Sequence, residues 1–433
     1  MKYYLAIDIG ASSGRHIIGY KEQDKLITEE IYRFPNGVKQ ENNHLIWDID
    51  HLLSEVKEGI RKALEKYPYI ESMSIDTWGV DYVLLNDDSE ILPCYAYRDS
   101  RTKDKISKVH NLISFKKLYD ITGTQFQEFN TIYQLYDDLE NGRLDLATDF
   151  LHIPEYLTYK LTGKKVHEYT NASTTGLLDG LTNYYSNEII SKLKFPRKLF
   201  AKLYKPGYVV GDFKKEIFNE VGGNIKVKLC STHDTASAVE GIPMKENAPY
   251  ISSGTWSLLG LKVDKIINSE EAMKANYSNE YGPSYIRFQK NIMGLWIIQC
   301  LAKELNLSFT EMVELAKASS YKEIFDVNDS VFLSSLNMKE SIIDYLKEKN
   351  LTLPNNDSDI INATYRSLAY SYKVAIDELE KITNTKYEYL YIVGGGAKNK
   401  YLNELTEEFT KHKVIALPIE ATSIGNLLCQ MED

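Results

Sequence analysis

Four cysteines in 433 residues, at 94, 230, 300 and 429, form no C-x-x-C pair, and eight histidines form no cluster with metal-ligand spacing. Those absences exclude a disulfide framework and a zinc module. No stretch reaches the ~20 apolar residues of a membrane span. The opening "YYLAI" is too short for a secretory signal and is interrupted by Asp8. Basic residues are in deficit: 51 Lys and Arg stand against 61 Asp and Glu, a net charge of −10. With neither a basic stripe nor a polybasic run, nucleic acid and anionic membranes are excluded as partners. The expectation is a soluble protein of the reducing cytoplasm, and its length predicts two domains rather than one core.

Both familiar phosphate loops are missing as well. A P-loop needs four residues between its glycines and then Gly-Lys-Ser/Thr, and a dinucleotide fingerprint needs G-x-G-x-x-G. In "YYLAIDIGASSGRHIIGY" only three residues separate Gly10 from Gly14, and Arg15 comes next. Both loops would open a helix, whereas "RHIIGY" is β-branched and aromatic and reads as a strand. The stretch is a hairpin with a polar tip. Its amides could hold an anion, or it is an ordinary turn.

What is present is ordered. Strands are expected at Tyr3–Ile9, His16–Tyr20 and Leu26–Phe34. Apolar residues at 49, 52, 53, 56, 60, 63 and 64 then predict an amphipathic helix capped by Asp48. With the strands "ESMSID" and "DYVLLN" after it, this is the order of a ribonuclease-H-like α/β unit. Helical segments are expected around 104–120 and 150–162, and "GNIKVKLCSTHDTASAVEG" reads as a strand entering a helix. The best linker is Pro243–Pro249, which divides the chain into 1–243 and 244–433. Just beyond it "YISSGTWSLLGLKV" repeats the strand, polar tip and strand of the opening, as though one unit were used twice. A long helix at 358–382 and the strand "YEYLYIV" lead into "GGGAKNKYLNELTEEF".

Several stretches could carry chemistry, and each has a plainer reading. In "VGGGAKN" bare backbone could approach a flat ligand or simply make a turn. Asp234 in "STHDTASAVEG" could accept a proton from a hydroxyl or cap a helix, and His233 reads as structural. In "IDTWGVDY", Trp78 and Gly79 could face a sugar, or Trp78 could fill a core. "AYRDSRT" reads as an ion-paired surface loop or a brace for a site, and "QKNIMGLWIIQ" as a core helix.

Taken in order, "DIGASSGR", "DTWGVDYVLL", "YRDSRT", "EYTNASTTGLLD", "STHDTASAV", "SSGTWSLLG", "KNIMGLWIIQ", "IVGGGAKNKYLN" and "IEATSIGN" resemble the FGGY carbohydrate kinases over nearly the whole chain. "DTWGVDY" and "KNIMGLW" point to the branch acting on L-rhamnulose. The resemblance implies two ribonuclease-H-like (actin-like ATPase) domains closing over a cleft, with ATP and Mg²⁺. It implies γ-phosphoryl transfer to the 1-hydroxyl of the ketose. Position by position, Asp234 matches the general base, and Gly79, His233, Asp234, Thr235 and Asn291 match sugar contacts. Ala11, Ser12, Ser13, Gly14, Arg15, Thr255, Gln299 and Gly395 match the ATP side, and Asp8 the carboxylate that places the metal through water. Two features depart from the family: the usual further C-terminal helical region does not come after "CQMED", and "TEEFTKH" replaces a small-residue Ala-Asp stretch. The rival expectations are another ketose kinase, for L-fuculose or xylulose, and a chaperone-like ATPase on the same core.

Overall fold

The first strand, Tyr3–Ile9, sorts its side chains by parity, as a strand buried on both faces must. Leu5, Ile7 and Ile9 enter one core with Val56, Ile60 and Ala63 of helix Ile49–Lys66, while Ala6 packs with Ile17 and Leu427 on the other face. Asp8 has the parity of Ala6 and so belongs to that second face. Asp48 does cap the first helix, accepting from the His51 amide at 3.0 Å.

The computed structural model describes residues 1–432 apart from 334, 336, 418 and 419. Ile419 of "IEATSIGN" and the final Asp433 therefore lie outside the described residues. Two compact units emerge. The first comprises Met1–Pro243, Val263–Phe288 and Ala421–Asp433, and the second Met244–Lys262 and Gln289–Glu420. A break at 243/244 thus marks only the first of the crossings between them, and two later segments rejoin the first unit.

The sheet of the first unit runs Val209–Gly211, Lys226–Lys228, Ile70–Thr77, Tyr3–Ile9, Ser13–Glu22 and Lys25–Pro35. Tyr3–Ile9 is parallel to Ile70–Thr77 and antiparallel to Ser13–Glu22, which confirms the opening hairpin. In the second unit Tyr250–Ser253 lies between Trp256–Val263, of which only Val263 falls in the first unit, and Tyr389–Val393, with Lys413–Leu417 beyond. Again the hairpin is antiparallel and the next two neighbours are parallel. The echo between the two hairpins is therefore an echo of whole sheets.

Three expected elements change. The helix at 104–120 is two, Lys105–Leu112 and Phe115–Thr122, because Ser114 caps the second by accepting from the Lys117 amide. The segment at 150–162 opens as a strand, Asp149–His152, before the helix Ile153–Thr162. "QKNIMGLWIIQ" is not one helix: the strand Ile286–Met293 continues through its first half and the helix starts at Trp296. Gly294 makes that junction, since a Cβ there would stand 2.6 Å from the carbonyl oxygens of Gly254 and Thr255.

Candidate active site

Parallel strands end together, so the residues at their carboxyl ends gather along one edge of the sheet. Register places Asp8 beside Asp76, and an isolated parallel bridge joins Thr77 to His233. Three carboxylates, Asp8, Asp76 and Asp234, so collect at the strand ends of the first unit.

Their surroundings differ. Asp8 is held by Arg15, whose Nε and Nη2 both stand 3.0 Å from Oδ2, and by the Ser423 hydroxyl at 3.2 Å. Asp76 is fully buried and accepts from Asn426 Nδ2 at 2.6 Å, while its Oδ1 has no hydrogen-bond partner among the described residues. Burial and the charge of Asp8 push its carboxyl well above the usual carboxylate range. Asp234 alone stays open, with 26% of its side chain exposed against 6% for Asp8. It is the first residue of helix Asp234–Glu240, one past the cap position, which His233 holds without a side-chain hydrogen bond. Its Oδ1 accepts the Thr235 amide at 2.6 Å. Desolvation raises its pKa to about 6, with Asp8 adding to the rise and His233 opposing it.

Around Asp234 the structure collects Gly79, His233 and Thr235. A Cβ on Gly79 would lie 3.2 Å from His233 Nε2 and equally close to Thr174, so only bare backbone fits there easily. Trp78 is not an exposed sugar platform. It is buried, packed on Trp47 with ring centroids 4.1 Å apart, and donates its Nε1–H to Asp81 at 2.9 Å. Asp81 also accepts from Trp47 Nε1, the Tyr97 amide and Gln134 Nε2. Its backbone amide reaches back to the Gly79 carbonyl across Val80, which is held at φ 68°. A β-branched residue in that region is strained, and such strain collects at functional sites. "AYRDSRT" is ion-paired and only partly at the surface: Arg98 and Ser100 are exposed, whereas buried Arg101 Nη1 meets Asp137 and Asp138 at 3.0 and 2.9 Å, and buried Asp99 accepts the Leu45 amide.

The hairpin tip at Ala11, Ser12 and Ser13 is pinned by Gly10 N–H to Ser13 O and by Asn36, which bonds both Ser12 O and Gly10 O. Ser12 is exposed. Gly14 has a packing reason, because a Cβ would strike the Phe34 ring at 2.2 Å.

Thr255, Asn291, Gln299 and Gly395 belong to the second unit. Thr255 is exposed at its hairpin tip, whose carbonyls accept the amides of Leu295 and Trp296. Asn291 lies on the strand and Gln299 on the helix after it, both half-buried. The glycine triplet divides its labour. Gly394, at φ 82°, and Gly396 abut Ser253, to within 2.7 and 1.9 Å of an added Cβ, whereas Gly395 is exposed and faces nothing within 4 Å among the described residues. The outer two serve packing, and the middle one offers open backbone.

Sequence reasoning missed Arg287, Glu280, Asn426 and Ser423. Reading "QKNIM" as helix concealed the strand alternation around Arg287. Ser423 and Asn426 lie within the motif "IEATSIGN", but nothing in that stretch names their partners, since a helix late in the chain brings them to Asp8 and Asp76.

Residues 3–241 match the model of the FGGY family of carbohydrate kinases, N-terminal domain, and residues 249–432 that of its C-terminal domain. A curated protein of Oceanobacillus iheyensis named Rhamnulokinase is 44% identical over 99% of this chain and 92% of its own length. The Rhamnulokinase of Bacillus subtilis is 42% identical over 99% and 90%. Among solved structures, xylulose kinase from Lactobacillus acidophilus aligns with a TM-score of 0.83 at 17% identity, over 99% of this chain and 89% of that one. Plasmodium falciparum glycerol kinase with ADP aligns at 0.81 and 15%, over 99% and 89%. At those identities the structural likeness speaks to the fold: a two-domain mixed α/β kinase architecture.

Proposed function

This chain belongs to the FGGY family of carbohydrate kinases, and on that premise we propose that it transfers the γ-phosphoryl of ATP to the 1-hydroxyl of L-rhamnulose, giving L-rhamnulose 1-phosphate and ADP. The substrate class rests on likeness to the Rhamnulokinases over nearly the full chain. One observation of geometry carries the chemistry. Of three carboxylates at the strand ends, Asp76 is buried, Asp8 is tied to Arg15 and Ser423, and Asp234 alone stands open.

Phosphoryl transfer asks little covalent chemistry of a protein, mostly positioning and charge stabilisation. Asp234 takes the hydroxyl proton as the oxygen bonds to phosphorus, and a pKa of about 6 leaves it ionised at neutral pH yet basic enough to be useful. Gly79, His233, Thr235 and Asn291 orient the sugar. The amides and side chains of Ala11 to Arg15, with Thr255, Gln299 and Gly395, bind the nucleotide.

The donors present fit Mg²⁺ delivered with that nucleotide. Asp8 and the unpartnered Asp76 Oδ1 are hard oxygen donors, but among the described residues no group of three His, Cys, Asp or Glu is arranged to hold a metal. Mg²⁺ commonly keeps its waters and binds through one or two carboxylates plus phosphates. When bound it supplies positive charge to the phosphate oxygens, and Asp8 would place it through water.

The test is ADP release with Mg-ATP against L-rhamnulose, L-fuculose, D-xylulose and glycerol, with the product's phosphate position read by NMR. L-Rhamnulose should lead by a wide margin. Preference for another ketose would replace the substrate and keep the kinase. ATP hydrolysis indifferent to every acceptor would favour the chaperone-like alternative.

A further inference from the structure

Arg287 is a completely buried arginine beside this site, in the same unit as Asp234. Burying a guanidinium is costly unless its charge is met and its donors are used. Glu280 meets the charge, its Oε2 lying 3.2 Å from Nη2. Nε donates to the Tyr281 carbonyl at 3.4 Å. Two further contacts go to the residues that flank Asp234: Nη1 to the Thr235 hydroxyl at 2.7 Å, and Nη2 toward His233 Nδ1 at 3.3 Å.

Resting on the function proposed above, we propose that Arg287, braced by Glu280, is a positioning residue for the sugar: it holds His233 as the neutral tautomer protonated on Nε2 and fixes the Thr235 hydroxyl as a donor. Donor and acceptor capacities decide the matter. Arginine has five N–H groups and no acceptor, so the ring nitrogen facing it presents a lone pair. The ring proton then sits on Nε2. That atom lies 3.6 Å from Asp234 Oδ1 and 3.2 Å from the place of a Cβ on Gly79, so the N–H is on the side of the base and the bare backbone. Thr235 Oγ1, accepting from Arg287, lies 3.2 and 3.3 Å from Nδ1 and Nε2 of His233, so its own hydrogen has the Nδ1 lone pair as an acceptor.

Glu280 offers the competing arrangement. Its Oε2 is 3.4 Å from His233 Nδ1 and could accept a proton from it. Arg287 Nη2 lies within reach of both atoms, satisfying the carboxylate and leaving Nδ1 as an acceptor. Lysine could supply the charge but not the planar fork that serves Thr235, His233 and Glu280 together.

The first experiment needs no substitution at the arginine. ¹⁵N-histidine NMR of the whole protein, with the His233 signals assigned by their loss in His233→Gln, reports which ring nitrogen carries the proton. An unprotonated Nδ1 is expected, and a protonated Nδ1 overturns the proposal. The second is steady-state kinetics on Arg287→Lys and the near-isosteric Glu280→Gln. The KM for L-rhamnulose should rise about 10-fold or more while the KM for ATP stays within about twofold, the mark of lost positioning at one substrate. A purely structural role would lower the melting temperature and leave the sugar KM of the folded fraction unchanged, and that result also overturns the proposal. A wild-type protein inactive on L-rhamnulose sinks the substrate reading instead, and the NMR result then decides the tautomer by itself.

Discussion

At the scale of the residue, Asp234 is where activity and stability oppose each other. Its pKa is raised to about 6 from an ordinary value of 3.8, so between those values the folded chain binds more protons than the unfolded one. Stability present below the lower value is lost as pH rises through the upper, by about 3 kcal/mol at most, and less because a quarter of the side chain is exposed. Asp234→Asn removes that loss along with the base. Single-turnover sugar phosphorylation should fall ~10²-fold or more, while the melting temperature at pH 7 stays level or rises and ATP still binds. An active Asp234→Asn enzyme would falsify the base assignment. In the wild type, kcat/KM for the sugar should decline as pH drops below about 6, where the carboxylate takes up its proton. At Gly79 the contact is tight rather than impossible: Gly79→Ala pushes on His233 and Thr174 from 3.2 Å. It should raise the sugar KM several-fold with little change in melting temperature, and an unchanged KM would remove Gly79 from the sugar wall.

At the scale of the element, two glycine devices set what can approach what. Helix Ala421–Met431 crosses helix Asp234–Glu240 so closely that a Cβ on Gly425 would stand 1.8 Å from the Ser237 carbonyl oxygen, and one on Gly241 2.0 Å from that of Ala421. Gly425→Ala must therefore part the helices, costing about 1–3 kcal/mol as overpacking does. Asn426 and Ser423, which hold Asp76 and Asp8, would move with it, so turnover should fall with stability in one denaturation and assay series. In the glycine triplet the effects should separate. Gly394→Ala meets the Ser253 carbonyl at 2.7 Å and lowers the melting temperature, whereas Gly395→Ala has open space and should leave it unchanged while weakening nucleotide binding measured by calorimetry. Wild-type ADP affinity in Gly395→Ala would assign the whole triplet to packing.

For the whole molecule, the decisive feature is that the first unit is not one stretch of chain. Val263–Phe288 belongs to it because Ser278–Tyr281 is fastened there, the Asn279 amide to Gly123 O at 2.8 Å and the Tyr281 amide to Ser173 Oγ at 2.9 Å. Ala421–Met431 belongs because Gln430 bonds Leu5 O at 3.0 Å and accepts from Ser72 at 2.8 Å. A fragment ending at Pro243 lacks Arg287, Asn426 and the helix that covers Ala6 and Ile17. It should be expressed as an incompletely folded chain, with weak hydrogen-exchange protection of strand Tyr3–Ile9. A fully protected, cooperatively melting 1–243 fragment would show that the later segments are ornaments.

Much of this was legible in order along the chain, because local physics writes it there. The period-2 strands, the stripe of helix Ile49–Lys66 with its Asp48 cap, and the two hairpins are short-range consequences of side-chain alternation and turn chemistry. The motifs containing Gly79, Asp234 and Gly395 are contiguous and could be read as candidates. What the order of residues could not decide was which candidate stays open to solvent. Asp8, Asp76 and Asp234 are the same side chain. They diverge only because strand register brings them together and because Arg15, Ser423 and Asn426 arrive to occupy two of them. Ser423 and Asn426 lie more than 300 residues along the chain from the carboxylates they hold, a separation that no local pattern encodes. Burial, and with it the pKa that suits Asp234 to accept a proton, belongs to the tertiary structure.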